Sequence, residues 1–130
     1  MTLTKNKVMK SYTDIEQSKR LAEILPLESA DTIWDLTNPD LPTIRAIPYE
    51  DSDYSNKYLN IIPCWGLAAL LGVLPDEVGD NHYLTLDKEG KEYCCCYEDN
   101  NGNSFRHCFS DNPVDVCVAM IEKLHELKML

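Results

Sequence analysis

The chain lacks any apolar run approaching the roughly 20 residues that span a bilayer, and its first residues lack the apolar core of a signal peptide. No membrane partner is expected, and the setting suggested is cytoplasmic and reducing. Also missing are a glycine-rich phosphate loop, a Gly-x-Ser-x-Gly elbow and, after His125-Glu126, the second histidine of a zinc-protease helix. Asp99-Asn100-Asn101-Gly102-Asn103 is superficially like a calcium loop, but Ser104 and Ser110 stand where the turn glycine and the bidentate glutamate belong. With 3 histidines in 130 residues, acid–base machinery is thin. Internal repeats and low-complexity tracts are absent as well.

Positive charge is scarce: 12 basic side chains face 22 acidic ones, for a net charge of -10. Residues 1–20 hold five Lys or Arg against Asp14 and Glu16, so everything beyond them is more acidic still. Such a body repels phosphate backbones and anionic membranes, so no direct nucleic-acid partner is expected; the plainest use of the charge is solubility.

What is present suffices for one globular domain. Apolar residues make up 44% and charged residues 26%, ordinary usage for a chain that folds alone. Residues 1–11, polar and aperiodic, read as a flexible N-terminal arm, and 12–130 as a single α+β domain. Thr13-Asp14-Ile15-Glu16 has the form of a capping box with Thr13 as the cap, opening a helix that runs to about Leu25 with Ile15, Ala22 and Leu25 on one side and stops at Pro26. Thr32 to Leu36 and Thr43 to Tyr49 form a hairpin around Asn38-Pro39-Asp40, with Trp34 and Leu36 on one face and Asp35 on the other. A long polar loop, Glu50 to Asn60, follows. Pro63 then reads as the first residue of a central, buried helix carrying Trp65, Leu67, Leu70 and Leu71.

A three-strand meander begins at Tyr83, with turns at Lys88-Glu89-Gly90-Lys91 and Asp99-Asn100-Asn101-Gly102. Asn112-Pro113-Val114-Asp115 combines an N-cap, a proline at the first helical position and a first-turn carboxylate, and Val114, Cys117, Val118, Ile121 and Leu124 recur behind it at helical spacing. The expected order is α-β-β-α-β-β-β-α, a two-layer fold with helices on one face of one antiparallel sheet.

Chemistry is hinted at only by the cysteines, Cys94-Cys95-Cys96 on one strand and His107-Cys108 on the next. If Asn101-Gly102 is a two-residue turn, Cys96 lies opposite His107, Cys95 opposite Cys108 and Cys94 opposite Phe109. Cys94, Cys96, Phe105, His107 and Phe109 then share one face, which the phenylalanines mark as the core side, and Tyr93, Cys95, Tyr97, Arg106 and Cys108 share the other. A zinc site would use Cys94, Cys96 and His107, with Cys117 or water as the fourth ligand. Structural zinc sites take cysteine pairs from a turn that wraps the ion, not from a straight strand, so no metal or other cofactor is expected. A nucleophile would be Cys95 or Cys108 aided by Arg106 or His107, or Cys96 with His107; sequence neighbours on a strand point apart, and small buried fillers are the simpler reading.

The stretch Tyr12-Thr13-Asp14-Ile15-Glu16 through Pro26 with Glu28-Ser29-Ala30-Asp31, then Pro63-Cys64-Trp65 leading to Leu74-Pro75, and Asp111-Asn112-Pro113-Val114-Asp115 leading to Lys123-Leu124-His125-Glu126, resemble a family of small proteins from gut anaerobes and their phages or mobile elements. That resemblance implies a phage or mobile-element setting and no particular activity. Similar proteins carry tryptophans where Tyr93 and Cys94 stand, a departure that favours packing as the role of the cysteines here.

The function expected is that of a non-enzymatic protein-binding or regulatory module. Its contact surface is placed on the acidic, tyrosine-bearing loop with Tyr49, Asp51, Asp53, Tyr54 and Tyr58, since aromatics anchor interfaces and carboxylates steer basic partners. The alternative is an acidic DNA mimic that inhibits a nucleic-acid-binding protein, and a thiol or zinc enzyme comes third. A reducing setting makes one outcome definite: denatured protein prepared without oxidant titrates all 6 cysteines with Ellman's reagent, and recovery of disulfides from fresh material overturns the compartment.

Overall fold

The computed structural model describes residues 9–47 and 60–130; the loop residues Tyr49, Asp51, Asp53, Tyr54 and Tyr58 lie outside the described residues. Helix α1 is Ile15–Ala22, a single 3-10 turn spans Leu27–Ser29, strands β1 (Thr32–Asp35), β2 (Thr43–Ala46) and β3 (Ile61–Cys64) follow, then α2 (Leu67–Val73), β4 (Glu77–Val78), β5 (His82–Glu89), β6 (Glu92–Glu98), β7 (Ser104–Ser110) and α3 (Pro113–Glu126). The class is α+β, but the strands form two antiparallel sheets, β2-β1-β3 and β4-β5-β6-β7, where one was expected.

The extra strand is β3. Ile61 and Ile62 favour extended backbone, and Pro63 sits on an edge, the position in a sheet that tolerates a missing N–H. Pro63 therefore does not open α2. That helix begins after Gly66, and of its seven residues only Leu70 is buried, so it is a half-covered helix and not a central one.

The cap of α1 also differs by one residue. Asp14 is the N-cap: its Oδ1 accepts from the Gln17 amide at 2.8 Å while the Gln17 side chain accepts from the Asp14 amide at 3.0 Å, a reciprocal capping box. Thr13 is buried instead, its hydroxyl 2.7 Å from the Ser18 hydroxyl and accepting from the Trp65 amide at 3.1 Å. The buried side of α1 is Gln17, Ser18 and Leu21, while Ala22 is exposed. In β1 it is Ile33 and Asp35 that are buried, and Trp34 is only half covered. Asp35 can sit inside because Thr37 Oγ1 (2.6 Å), the Thr37 amide (3.0 Å) and Arg45 Nε (2.9 Å) all donate to it; the Thr37 bonds and then Arg45 hold its carboxyl below the usual range.

The main core lies where α3 covers the inner face of the four-stranded sheet, with Trp65, Leu70 and Leu74 of the α2 region and Leu21 of α1 packed on its flank. Val114, Val116, Cys117, Val118, Met120, Ile121 and Leu124 of α3 are all buried. Its start is as the sequence indicates: the Asn112 side chain accepts from the Val114 and Asp115 amides at 2.8 and 3.3 Å, and Pro113 needs no donor there. Asp115 takes the Lys10 ammonium at 2.5 Å and the Gln17 side-chain amide at 2.7 Å, and Glu122 holds Arg20 through two bonds, so α1 is tied to α3 along its length. Replacing Asn112 by Ala removes the cap of the core helix; about 1–2 kcal/mol of stability is lost in urea unfolding, and a change below a few tenths shows the cap to be dispensable.

Candidate functional site

Two places are candidates for function, the cysteine hairpin and a groove among the helices. In the hairpin, Cys95 pairs with Cys108 and Cys94 with Phe109, as the sequence suggests, but Cys96 does not pair with His107. The turn is one residue longer than Asn-Gly alone: Asp99 and Asn103 close it (N to O 2.9 Å), Asn100, Asn101 and Gly102 form the loop, and Gly102 takes φ +83. That shifts the ladder by one, giving Tyr97 opposite Phe105 and Glu98 opposite Ser104. A bulge then shifts it back, with Arg106 at φ 59 and His107 both facing Cys96. The two offsets cancel.

The bulge also decides the faces. Phe105 and Cys108, three residues apart, both turn inward, joining Tyr93, Cys95, Tyr97, Leu84 and Leu86 on the core side. Phe109 is 56% exposed: the expected core face, which it shares with Cys94, Cys96 and His107, is the one away from the main core, although Cys94 and Cys96 are themselves buried there. His107 is exposed there, its Nε2 2.6 Å from the Ser104 hydroxyl and its ring 5.9 Å from that of Phe109. Among the described residues no three His, Cys, Asp or Glu side chains converge on a point that could hold an ion. All six cysteines are free thiols.

The electrostatics of the four hairpin thiols run against nucleophilic use, which requires a lowered pKa; Cys117, whose pKa the hydrogen bond with Cys95 lowers, is enclosed in the core. A hydrogen bond to Cys117 and burial push the Cys95 thiol far up. Burial, then the neighbouring Cys94 and Glu98, move Cys96 from its ordinary 9.0 up to about 12. Burial likewise raises Cys94 and Cys108, the latter despite Lys123. Cys95 and Cys117 meet inside the core as small packed thiols.

The groove was invisible in the sequence because it is assembled from four segments. About 610 Å³ of space lies between the end of α1, the 3-10 turn, α2 and the C-terminal end of α3. Its walls are aliphatic, from Ile24, Leu25, Ala69, Val73, Pro75 and Leu130. Its polar side chains are two: Ser29, whose hydroxyl accepts from Trp65 Nε1 at 3.0 Å and donates to the Pro26 carbonyl at 2.6 Å, and His125. Leu27, next to Pro26 in the chain, and Leu127, two residues beyond His125, are 51% and 38% exposed. Gly72 contributes a gap, since a Cβ placed there meets nothing within 4 Å. Four exposed carboxylates, Glu23, Glu28, Asp76 and Glu126, adjoin lining residues in the chain.

Comparison of the chain with protein-family models, with curated proteins and with solved structures returned no match. No described helix is long and apolar enough to cross a membrane.

The thiol shifts fix a pH dependence. A group whose pKa rises on folding stabilises the native state fully below its unfolded value, and that contribution drains away as pH climbs toward the folded value. The urea midpoint therefore falls between pH 9.0 and about 12 as unfolded thiols ionise and the folded Cys96 does not. Cys96→Ser flattens that decline, and a midpoint that holds steady across the window refutes the assignment.

Proposed function

We propose that this protein is a non-enzymatic binding module whose contact surface is the apolar groove between α1, α2 and α3. The observation that carries this reading is the groove itself: an open hollow walled mainly by aliphatic side chains is the kind of surface that domains keep for a partner. Nine of its ten lining residues, all but Leu130, belong to the three segments that resemble the gut-anaerobe and phage family, consistent with use of the groove in a phage or mobile-element setting. The raised pKa values of the hairpin thiols favour packing over catalysis. The DNA-mimic alternative needs carboxylates gathered in a stripe, whereas the exposed ones are distributed over α1, β4 and its flanking residues, the β5–β6 hairpin and α3.

Gly72→Phe tests the proposal cleanly, because the ring enters free space and the charge is unchanged. Full-length protein immobilised against a gut-anaerobe lysate retains a stoichiometric partner, and Gly72→Phe loses it while keeping the wild-type melting curve. Retention by Gly72→Phe removes the groove as the contact surface. Loss in Asp53→Ala/Tyr54→Ala alone transfers the role to the acidic loop.

A further inference from the structure

Resting on the groove as the contact surface, we infer that its occupant is a basic amphipathic helix, aliphatic on the face that enters the groove and bearing lysine or arginine along its flanks. Three features of the site select this partner over others.

The walls are aliphatic, so the inserted side chains must be aliphatic or aromatic to regain what their desolvation makes available. The occupant's backbone is constrained as well. An extended segment would need a ladder of backbone partners that the groove does not offer: no strand contributes to the lining, and of its two polar side chains the Ser29 hydroxyl already has its donor and its acceptor, leaving His125. A helix satisfies its own backbone and presents side chains at i, i+3, i+4 and i+7, the mode by which amphipathic helices enter apolar grooves.

Charge then decides the flanks. Glu23, Glu28, Asp76 and Glu126 each neighbour a lining residue in the chain, are exposed, and among the described residues are in no ion pair. Of the other carboxylates on or beside α1 and α3, Asp14 is held by Lys10, Glu16 by Lys19 and Glu122 by Arg20, whereas Glu77 and Asp80, exposed beyond Asp76, are likewise in no ion pair among the described residues. The nearest cations in the chain at the C-terminal end, Lys123 and Lys128, each stand two residues from a lining residue. A second copy of the chain is a poor occupant for the same reason, because a twofold contact would set these four carboxylates against their own kind on two bodies each carrying -10. An anionic lipid surface or a nucleic acid would be repelled in the same way.

The test uses two fluorescein-labelled peptides of about 18 residues, long enough for an isolated helix to form in part. One has leucine on one face and lysine on the other; the second replaces each lysine by glutamate. Fluorescence anisotropy with the full-length protein shows the leucine–lysine peptide binding at micromolar concentration and the leucine–glutamate peptide at least about tenfold more weakly. Gly72→Phe abolishes binding of the first peptide, which separates insertion into the groove from general attraction to an acidic protein. Glu23→Gln/Glu28→Gln/Asp76→Asn/Glu126→Gln, checked for an unchanged melting curve, weakens it by about tenfold and reduces its salt dependence. Equal binding of both peptides, or undiminished binding to Gly72→Phe, overturns the inference. If Gly72→Phe loses the lysate partner but neither peptide binds, the partner's chemistry is wrong while the groove as contact surface stands.

Discussion

Burial of Trp65 is the constraint on which the arrangement of the helices depends. The indole is fully enclosed, and deleting a buried side chain of this kind typically costs about 3–5 kcal/mol, a large share of a small domain's stability. Its enclosure needs polar partners as well as apolar ones. The Trp65 amide donates to the Thr13 hydroxyl, its carbonyl accepts from the Thr13 amide at 2.9 Å, and its ring N–H donates to Ser29. One residue thereby joins the start of α1, the 3-10 turn, and the passage from β3 into α2. Gly66 completes the junction: a Cβ there would sit 2.8 Å from an Asp31 carboxylate oxygen, while its N–H donates to the other oxygen of the same group. Because Ser29, α2 and the end of α1 all border the groove, the shape of the groove follows from how Trp65 is held.

The cysteine strand shows how a correct local pairing can accompany a wrong assignment of faces. The expected pairs at Cys94 and Cys95 exist, yet they arise from a three-residue loop and a bulge whose offsets cancel. Alternation carried through an unbroken strand puts Phe105 with Phe109; the bulge at Arg106 separates them and sends Phe105 inward beside Tyr97, ring centroids 6.4 Å apart. Nothing in Ser104-Phe105-Arg106-His107 marks Arg106 for a left-handed conformation, which glycine or asparagine would have signalled. Two phenylalanines were a poor guide to the core face, whereas the tyrosines Tyr93 and Tyr97 were on it. Tyr97 can be buried because its hydroxyl donates to the Pro75 carbonyl at 2.8 Å.

Elements whose limits are set by local chemistry were legible. Asn112-Pro113 fixed the start of α3 to the residue, since cap and proline act within a few bonds of each other. The cap of α1 was legible as a motif but displaced by one, because Thr13 and Asp14 both have a suitable oxygen and the choice between them is tertiary: Thr13 is claimed by Trp65 and Ser18. Pro63 was ambiguous in the same way, suited both to a helix start and to an edge strand, and the pairing with Ile33 decides for the strand. The groove carried no signal, since its aliphatic residues are ordinary helix and turn positions that gain meaning only when four segments meet.

The acidic composition separates into two populations in the fold. Carboxylates between elements are engaged: Asp115 with Lys10 and Gln17, Glu122 with Arg20, and Asp35 with Thr37 and Arg45. Burial works against the charge of Lys10, and Asp115 with Asp14 nevertheless holds its pKa above the ordinary value. Each such pair is partly solvated and contributes modestly, but together they fix α1 on α3 and the register of β1 with β2. The carboxylates beside the groove have no such work inside the fold. A helix end bearing unpaired negative charge gains nothing from its own dipole when that charge is C-terminal, as Glu23 and Glu126 are, so their position is mildly unfavourable for the isolated chain. Carboxylates free of internal partners, in sequence beside an apolar hollow, are what the proposed cationic helix would meet, and its binding would relieve their repulsion.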